Sequence, residues 1–259
     1  MGSTIICPAI IDWTMVDIEL NNARRRDIQY VGNERTPVII IDEPVLSTEE
    51  LIQYASRDGK FSSTSQFAYP GIRANLPAEY GESLAPHLVA LISEVYDTPG
   101  THEHQLVHQL FSLVTQRPED LGLLQRMPHT DNNSPWYFAT VHYLNAGDHA
   151  GTGFFRHRPT GYERISVDRY PSYVAAAKSH IAMNGPPAQK YINESDDHFE
   201  LIAEVEHKPN RMVIYPGNLL HSGLIQPDRN LNADPATGRL TANLFLYFTP
   251  PGQGIDSQA

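Results

Sequence analysis

The chain carries a single cysteine, Cys7, in 259 residues, so no internal disulfide framework holds it together and a reducing compartment suits it. It also lacks any apolar run approaching the roughly 18 residues that span a bilayer. No basic segment followed by a long apolar stretch opens the sequence, so no signal peptide and no membrane partner are expected, and a cytoplasmic location is. Cations are scarce: 19 Lys and Arg against 30 Asp and Glu leave a net charge of −11. A surface that binds nucleic acid through phosphates needs clustered Lys and Arg, so nucleic acid is not an expected partner. Arg24, Arg25 and Arg26 form the one basic run and read as a solvated loop or helix face. Repeats and low-complexity tracts are absent too, and nothing in the sequence signals an oligomeric state. What is present is 41% hydrophobic content, enough for a full core in one large domain or a core with a helical annex.

Taken in order, residues 1–36 read as an irregular or edge-strand lead-in. PVIIID, Pro37 to Asp42, is a β-branched run of the kind buried in a sheet. Ser47 with Glu50 three residues on makes a capping box, with Leu46 stapled onto Leu51, and Gly59 ends that helix. Residues 62–77, including YPGIRANLP, show no regular period and read as a loop. A second helix is expected from about Glu82 to Tyr96, with Leu84, Leu88, Leu91, Ile92 and Val95 on one stripe and Pro86 in its first turn. His102 to Thr115 is ambiguous between helix and strand. Many short strands separated by turns follow, the pattern of a jelly roll or barrel. Residues 166–200 interrupt that rhythm with a helix-favouring VAAAKSHIAM, and the last eleven residues are expected to fray. The expected organisation is one catalytic domain, with residues 1–120 as strand and helix support, 121–250 as a mainly β jelly-roll (cupin-like, double-stranded β-helix) core, and the insertion at about 166–200.

The chemistry concentrates at PHTDNNSPWYFATVHYLN, 128–145. His129 and Asp131 form an H-x-D pair, and on extended backbone residues i and i+2 point to the same side, so an imidazole nitrogen and a carboxylate oxygen can share a cation. His221, in LLHSG after a strand and a ProGly turn, is the candidate third ligand. Two His and one carboxylate on one face, with open positions opposite, is the set that suits non-haem Fe(II) and leaves room for a co-substrate and O2. Two other readings use the same residues: a cupin-like metalloenzyme holding Zn or Mn without an oxo acid, and a binding protein in which the site is vestigial.

The order H-x-D, a strand ending in TyrLeuAsn, a Gly-rich turn into an aromatic strand, then ProGly and a His resembles the prolyl-4-hydroxylase-like branch of the Fe(II)- and 2-oxoglutarate-dependent dioxygenases. RMPHTD, HYLN, GTGFFRHRPTGYE and LLHSG look like an uncharacterised bacterial subfamily, and the likeness runs over roughly residues 37–250. It implies a double-stranded β-helix and iron ligation by His129, Asp131 and His221. Arg239 would pair with the distal carboxylate of 2-oxoglutarate, a planar fork meeting a carboxylate, and Tyr143 would hydrogen-bond the same group. That Arg follows the distal His by about ten residues in the family; here the gap is 18 (239 − 221), which makes Arg229 a rival. Arg239 is preferred because it opens a strand with Thr241, Asn243 and Phe245 on one face, and Asn243 on that face is a further candidate for contact with co-substrate or substrate. The implied reaction is hydroxylation of a small-molecule, amino-acid or peptide C–H bond by O2, with 2-oxoglutarate converted to succinate and CO2. With Asp131 in place, the position that halogenases of the family leave open is filled.

Other residues carry weaker signals. His102, His104 and His108 lack the spacing of a zinc helix, His142 faces away from Tyr143 and reads as packed, and Trp136, Tyr137, Phe154 and Phe155 read as core. One or two of Arg156, His157 and Arg158 could reach the site. The insertion is expected to lie over the barrel mouth as a lid, with Tyr170, Tyr173 and Lys178 turned inward.

Overall fold

A computed structural model describes residues 16–63 and 69–251. Cys7, the IICPAIIDW opening and the final residues lie outside them. Ten strands dominate: β1 (Arg25–Val31), β2 (Thr36–Asp42), β3 (Gly71–Asn75), β4 (Glu103–Val114), β5 (Tyr137–Tyr143), β6 (Thr152–His157), β7 (Phe199–Val205), β8 (Arg211–Pro216), β9 (His221–Gly223) and β10 (Thr241–Thr249). Helices α1 (Glu49–Arg57), α2 (Ala78–Tyr96) and α3 (Tyr170–Asn184) accompany them. A seven-stranded antiparallel sheet runs β1-β2-β8-β5-β10-β4-β3, and a three-stranded one runs β7-β6-β9. The protein is mainly β, consistent with a jelly-roll-like fold.

Alternation along the strands assigns each face. In β10, Ala242, Leu244, Leu246 and Phe248 join Leu51, Ala55, Tyr80, Leu84, Leu88 and Ile92 of α1 and α2 in the largest apolar cluster. The helices therefore cover the outer face of the large sheet. The intervening residues turn inward: Phe245 packs with Tyr143, Phe154, Val213 and Tyr215 between the two sheets. A third cluster, Phe155, Ile165, Ile192, Phe199 and Leu220, with Tyr173 against it, covers the outer face of the small sheet, because Phe155 alternates with the inward Phe154.

Several expectations change here. The helix expected from Glu82 starts at Ala78 behind an extended Pro77, which leaves Pro86 in the interior. Burial of Tyr80, Gly81 and Leu84 anchors those first turns, so packing outweighs the hydrogen bond that proline removes. The capping box on Ser47 does not form. Thr48 is the residue before α1 and makes no side-chain cap, Glu50 accepts from the Asp17 amide at 2.9 Å, and Leu46 is 60% exposed rather than stapled. YPGIRANLP contains strand β3, His102 to Thr115 resolves into the twelve-residue β4, and Arg25 and Arg26 lie on edge strand β1, where Arg26 pairs with Glu94 at 3.1 Å.

The insertion does form a helix, α3, but it is not a lid. Tyr173 meets His157 edge-on with ring centroids 4.8 Å apart and belongs to the cluster outside the small sheet. Tyr170 is 50% exposed and Lys178 is also exposed. The segment packs on the wall that faces away from the space between the sheets, because its apolar residues match the outward Phe155 and Phe199.

Candidate metal centre

His129 and Asp131 sit on a short extended segment that adds itself to the edge of the small sheet. The His129 amide donates to the His221 carbonyl at 2.9 Å, and the His221 amide donates to that of His129 at 3.0 Å. The Asp131 amide then donates to the Gly217 carbonyl at 2.8 Å, so the turn that launches β9 also fixes the carboxylate. A side chain at Gly217 would meet Tyr137 Cδ1 at 2.6 Å and Asp131 Cβ at 3.4 Å; the approach of these segments requires glycine.

Three ligand atoms converge, one from each of His129, Asp131 and His221, all within 4.8 Å of one another. His221 Nε2 lies 3.4 Å from Asp131 Oδ2, and His129 Nε2 lies 3.7 Å from Asp131 Oδ1. His221 Nδ1 donates to the Leu219 carbonyl at 2.8 Å. That bond selects the tautomer whose Nε2 lone pair points at the cluster, the outer-shell arrangement of metal-binding histidines. Asp131 Oδ2 is buried without a hydrogen-bond partner, a cost that a cation at this position would remove. The donor set therefore fits a divalent metal with nitrogen and carboxylate ligands.

Burial pushes His221 down to about 4. Burial, then the neighbouring His221, pushes His129 down to about 4 as well. The His129 side chain is 56% exposed, so its ring lines a water-accessible mouth. Burial raises Asp131. At neutral pH both imidazoles are unprotonated and ready to ligate.

Arg239 lies just ahead of β10 and is 5% exposed. Its Nε donates to the Ala150 carbonyl at 2.6 Å and a terminal nitrogen to that of Gly151 at 3.1 Å, while its guanidinium lies 5.4 Å from the Tyr143 ring centroid. Among the described residues no carboxylate pairs with it. The Tyr143 hydroxyl is 2.7 Å from Thr152 Oγ1. Tyr215 connects this region to the triad: its ring is 4.6 Å from His221, and its hydroxyl, raised first by burial, feels Asp131 and Tyr143 on one side and Arg239 on the other. Asn243 faces inward, but its amide donates to the Leu110 carbonyl at 3.1 Å and to Ser112 Oγ at 3.0 Å, tying β10 to β4. Arg229 is 53% exposed and paired with Asp148 at 2.7 Å.

The remaining candidates lie elsewhere. His142 is held between the Tyr80 hydroxyl at 2.8 Å and Asn210 Oδ1 at 2.9 Å. Arg156 pairs with Glu163 at 2.5 Å and Glu200 at 2.8 Å, His157 faces outward, and Arg158 Nε donates to the Asp196 carbonyl at 2.7 Å. Sequence reasoning missed Arg73, Tyr69 and Tyr215. The available signal for Arg73 was the short alternation of Ile72 and Ala74 with Arg73 and Asn75.

One family model matches this chain: Family of unknown function (DUF6445), over residues 22–246. No curated protein matches it. Solved structures similar to it include HygX from Streptomyces hygroscopicus with nickel and 2-oxoglutarate bound, at 12% identity over 85% of each chain with a TM-score of 0.42. The apo form of HygX is similar at 13% identity, covering 85% of this chain and 84% of that one, TM-score 0.38. A third is described as a novel N-substituted L-amino acid dioxygenase from Burkholderia ambifaria AMMD, at 11% identity over 83% and 82% of the two chains, TM-score 0.35.

Proposed function

The chain belongs to the Family of unknown function (DUF6445), and from its site we propose that it is a non-haem Fe(II)- and 2-oxoglutarate-dependent oxygenase. The observation that carries this reading is the convergence of two neutral imidazoles and one carboxylate in a molecule that also buries Arg239 without an acidic partner among the described residues. Two His and one carboxylate on one face favour Fe(II) with positions left open. A buried guanidinium fork suits the distal carboxylate of an oxo acid, with Tyr143 beside it.

The strand pairing supports the same reading. Counting from β4, with the His129–Asp131 segment second, the large sheet joins strands 1, 8, 3 and 6 and the small one 2, 7, 4 and 5. Successive strands thus change sheet at every step except from the fourth to the fifth, which form a hairpin within the small sheet, as in a double-stranded β-helix. When bound, the metal supplies activation of O2 coupled to decarboxylation of the oxo acid. The protein's part is to hold three ligand atoms, orient His221 through Leu219, keep both imidazoles unprotonated and fix the co-substrate's far end at Arg239. The net reaction consumes 2-oxoglutarate, O2 and R–H, and gives succinate, CO2 and R–OH, with R–H a small-molecule or amino-acid/peptide-type substrate.

The test is anaerobic loading with Fe(II), addition of 2-oxoglutarate and exposure to O2. Succinate should form only with all three present, and His221→Ala should lose more than about 100-fold in iron affinity, since even removal of an outer-shell partner costs 10–100-fold. Tight metal binding with no 2-oxoglutarate binding would instead support the cupin-like metalloenzyme.

A further inference from the structure

We infer that Arg73 is the substrate-anchoring residue of this site and that the substrate carries a carboxylate. The inference rests on the oxygenase reading above and adds to it the class of compound oxidised.

Register places the side chain. Arg73 pairs with Ser112 of β4, Ser112 with Thr241 of β10, and Thr241 with Tyr143 of β5. Residues directly opposite in antiparallel strands share a face, so Arg73 lies in the same inward row as Tyr143. Its guanidinium sits 4.3 Å from the Tyr69 ring centroid. Burial lowers its pKa while Tyr69, Asp131 and Tyr137 raise it, and its charge acts in turn on His129 and Asp131. Register thus turns Arg73 into the space between the sheets, where its charge reaches His129 and Asp131. Arg239 acts on the same Tyr69 hydroxyl, which feels both guanidinium groups.

The two arginines differ in access. Arg239 is 5% exposed and covered by Tyr143, Ala150 and Gly151. Arg73 is only partly buried and lines a groove of about 350 Å³ at the β3 edge with Asn75, Leu110, Ser62 and Lys60. Tyr54, Asp58 and Ala74 complete its lining from the helix-covered face of the large sheet, so the groove opens at the sheet's edge and gives Arg73 a side that solvent reaches. A co-substrate common to every turnover belongs at the enclosed arginine, and the variable substrate at the accessible one. A guanidinium stacked on a ring presents its N–H edge sideways, the geometry that meets a carboxylate with two parallel hydrogen bonds. In a chain of net charge −11, an anion is drawn in only where such cations are concentrated.

The experiment uses the full chain loaded with Zn(II) and saturated with 2-oxoglutarate, titrated calorimetrically with a set of N-acetyl amino acids and their matching primary amides. Acids should bind and the paired amides should bind at least tenfold more weakly. Arg73→Gln and Arg73→Lys should each lose at least tenfold in acid affinity, yet change 2-oxoglutarate affinity less than threefold in the metal-loaded protein. Equal binding of acids and amides, or no binding by either, overturns the class assignment. A larger effect of Arg73→Gln than of Arg239→Gln on 2-oxoglutarate makes Arg73 the co-substrate anchor and overturns the proposal. Failure of the wild-type chain to bind metal or 2-oxoglutarate defeats the oxygenase reading itself, a separate outcome visible before any acid is added.

Discussion

Replacing Arg239 with Met keeps much of the side chain's volume and removes its charge, which separates co-substrate anchoring from packing. Breaking a buried pair by removing one partner costs on the order of 3–5 kcal/mol, and each 1.4 kcal/mol is tenfold in affinity. The variant should therefore bind 2-oxoglutarate roughly a hundred- to several-thousand-fold more weakly. Linkage turns this into a thermal signal: at 100 times its dissociation constant a ligand stabilises the folded state by about 2.7 kcal/mol. With unfolding entropy near 2.1 cal/mol/K per residue, a chain of this length changes by about 0.5 kcal/mol per degree, so the metal-loaded wild type should gain about 5 °C. Arg239→Met at the same concentration should gain less than about 1 °C. Without co-substrate the two effects of the change oppose: relief of a buried cation stabilises, while the carbonyls of Ala150 and Gly151 lose donors, which costs on the order of 1–3 kcal/mol. Differential scanning calorimetry with and without 2-oxoglutarate reads the difference directly. A full shift in Arg239→Met, or its loss in Arg229→Met, would refute the assignment.

Four further outcomes follow from local geometry. With His221 pushed down to about 4 and His129 lowered beside it, protons compete for the metal only in acid. Metal affinity should stay flat from pH 8 to about 5 and fall below it, and a decline centred near the ordinary histidine value of about 6.5 would contradict the placement. The apo protein's stability follows the same sign. The unfolded chain takes up protons from about pH 6.5 downward and the folded imidazoles do not, His142 at about 4 among them, so stability is complete above that range and is lost as pH falls. Gly217→Ala should cost about 1–3 kcal/mol by overpacking Tyr137 and weaken metal binding through Asp131, measurable by denaturation and metal titration; wild-type values for both would show that the turn can yield. Gly32→Ala should destabilise by about 3–5 kcal/mol without touching the metal site. Gly32 has φ +64° and a side chain there would strike the Glu163 carboxylate, which accepts from Arg156 and from the Asn33 amide.

The parts of the fold that were readable are those whose burial alternates along a single strand. RLTANLFLYF announces β10 because one set of residues meets the helices and the other meets the space between the sheets, and PVIIID announces β2 by branching alone. β4 was not decidable, since His104, Leu106 and His108 alternate with residues that are also partly exposed over its first half: there it pairs with β10 alone, β3 covering only Leu110 to Val114, and a strand with one neighbour loses its period. α2 began a turn earlier than its stripe of leucines indicated. Tyr80 and Gly81 are buried against β4, with Gln109 directly over the Gly81 backbone, a reason for helix that exists only after the strand is in place.

The site divides along the same line. His129 and Asp131 needed only the two-residue repeat of an extended chain to point at one place, and His221 needed the turn that precedes it. Arg73 needed knowledge of its partner: whether a side chain in IRAN faces solvent or the triad depends on pairing Arg73 with Ser112, 39 positions away (112 − 73), and a shift of one residue would have turned it outward. The same reasoning explains why the insertion misled. Its length and composition say that it is ordered and packs on something, but the choice of wall is made by Phe155 and Phe199, which alternation turns away from the metal. Tyr173 follows them, because burying its ring beside His157 removes apolar area from water, whereas the inner wall at that depth is already filled by Phe154 and Tyr215. Arg73, by contrast, is turned into the space between the sheets by its register with Ser112, and that is where the proposed acidic group of the substrate docks.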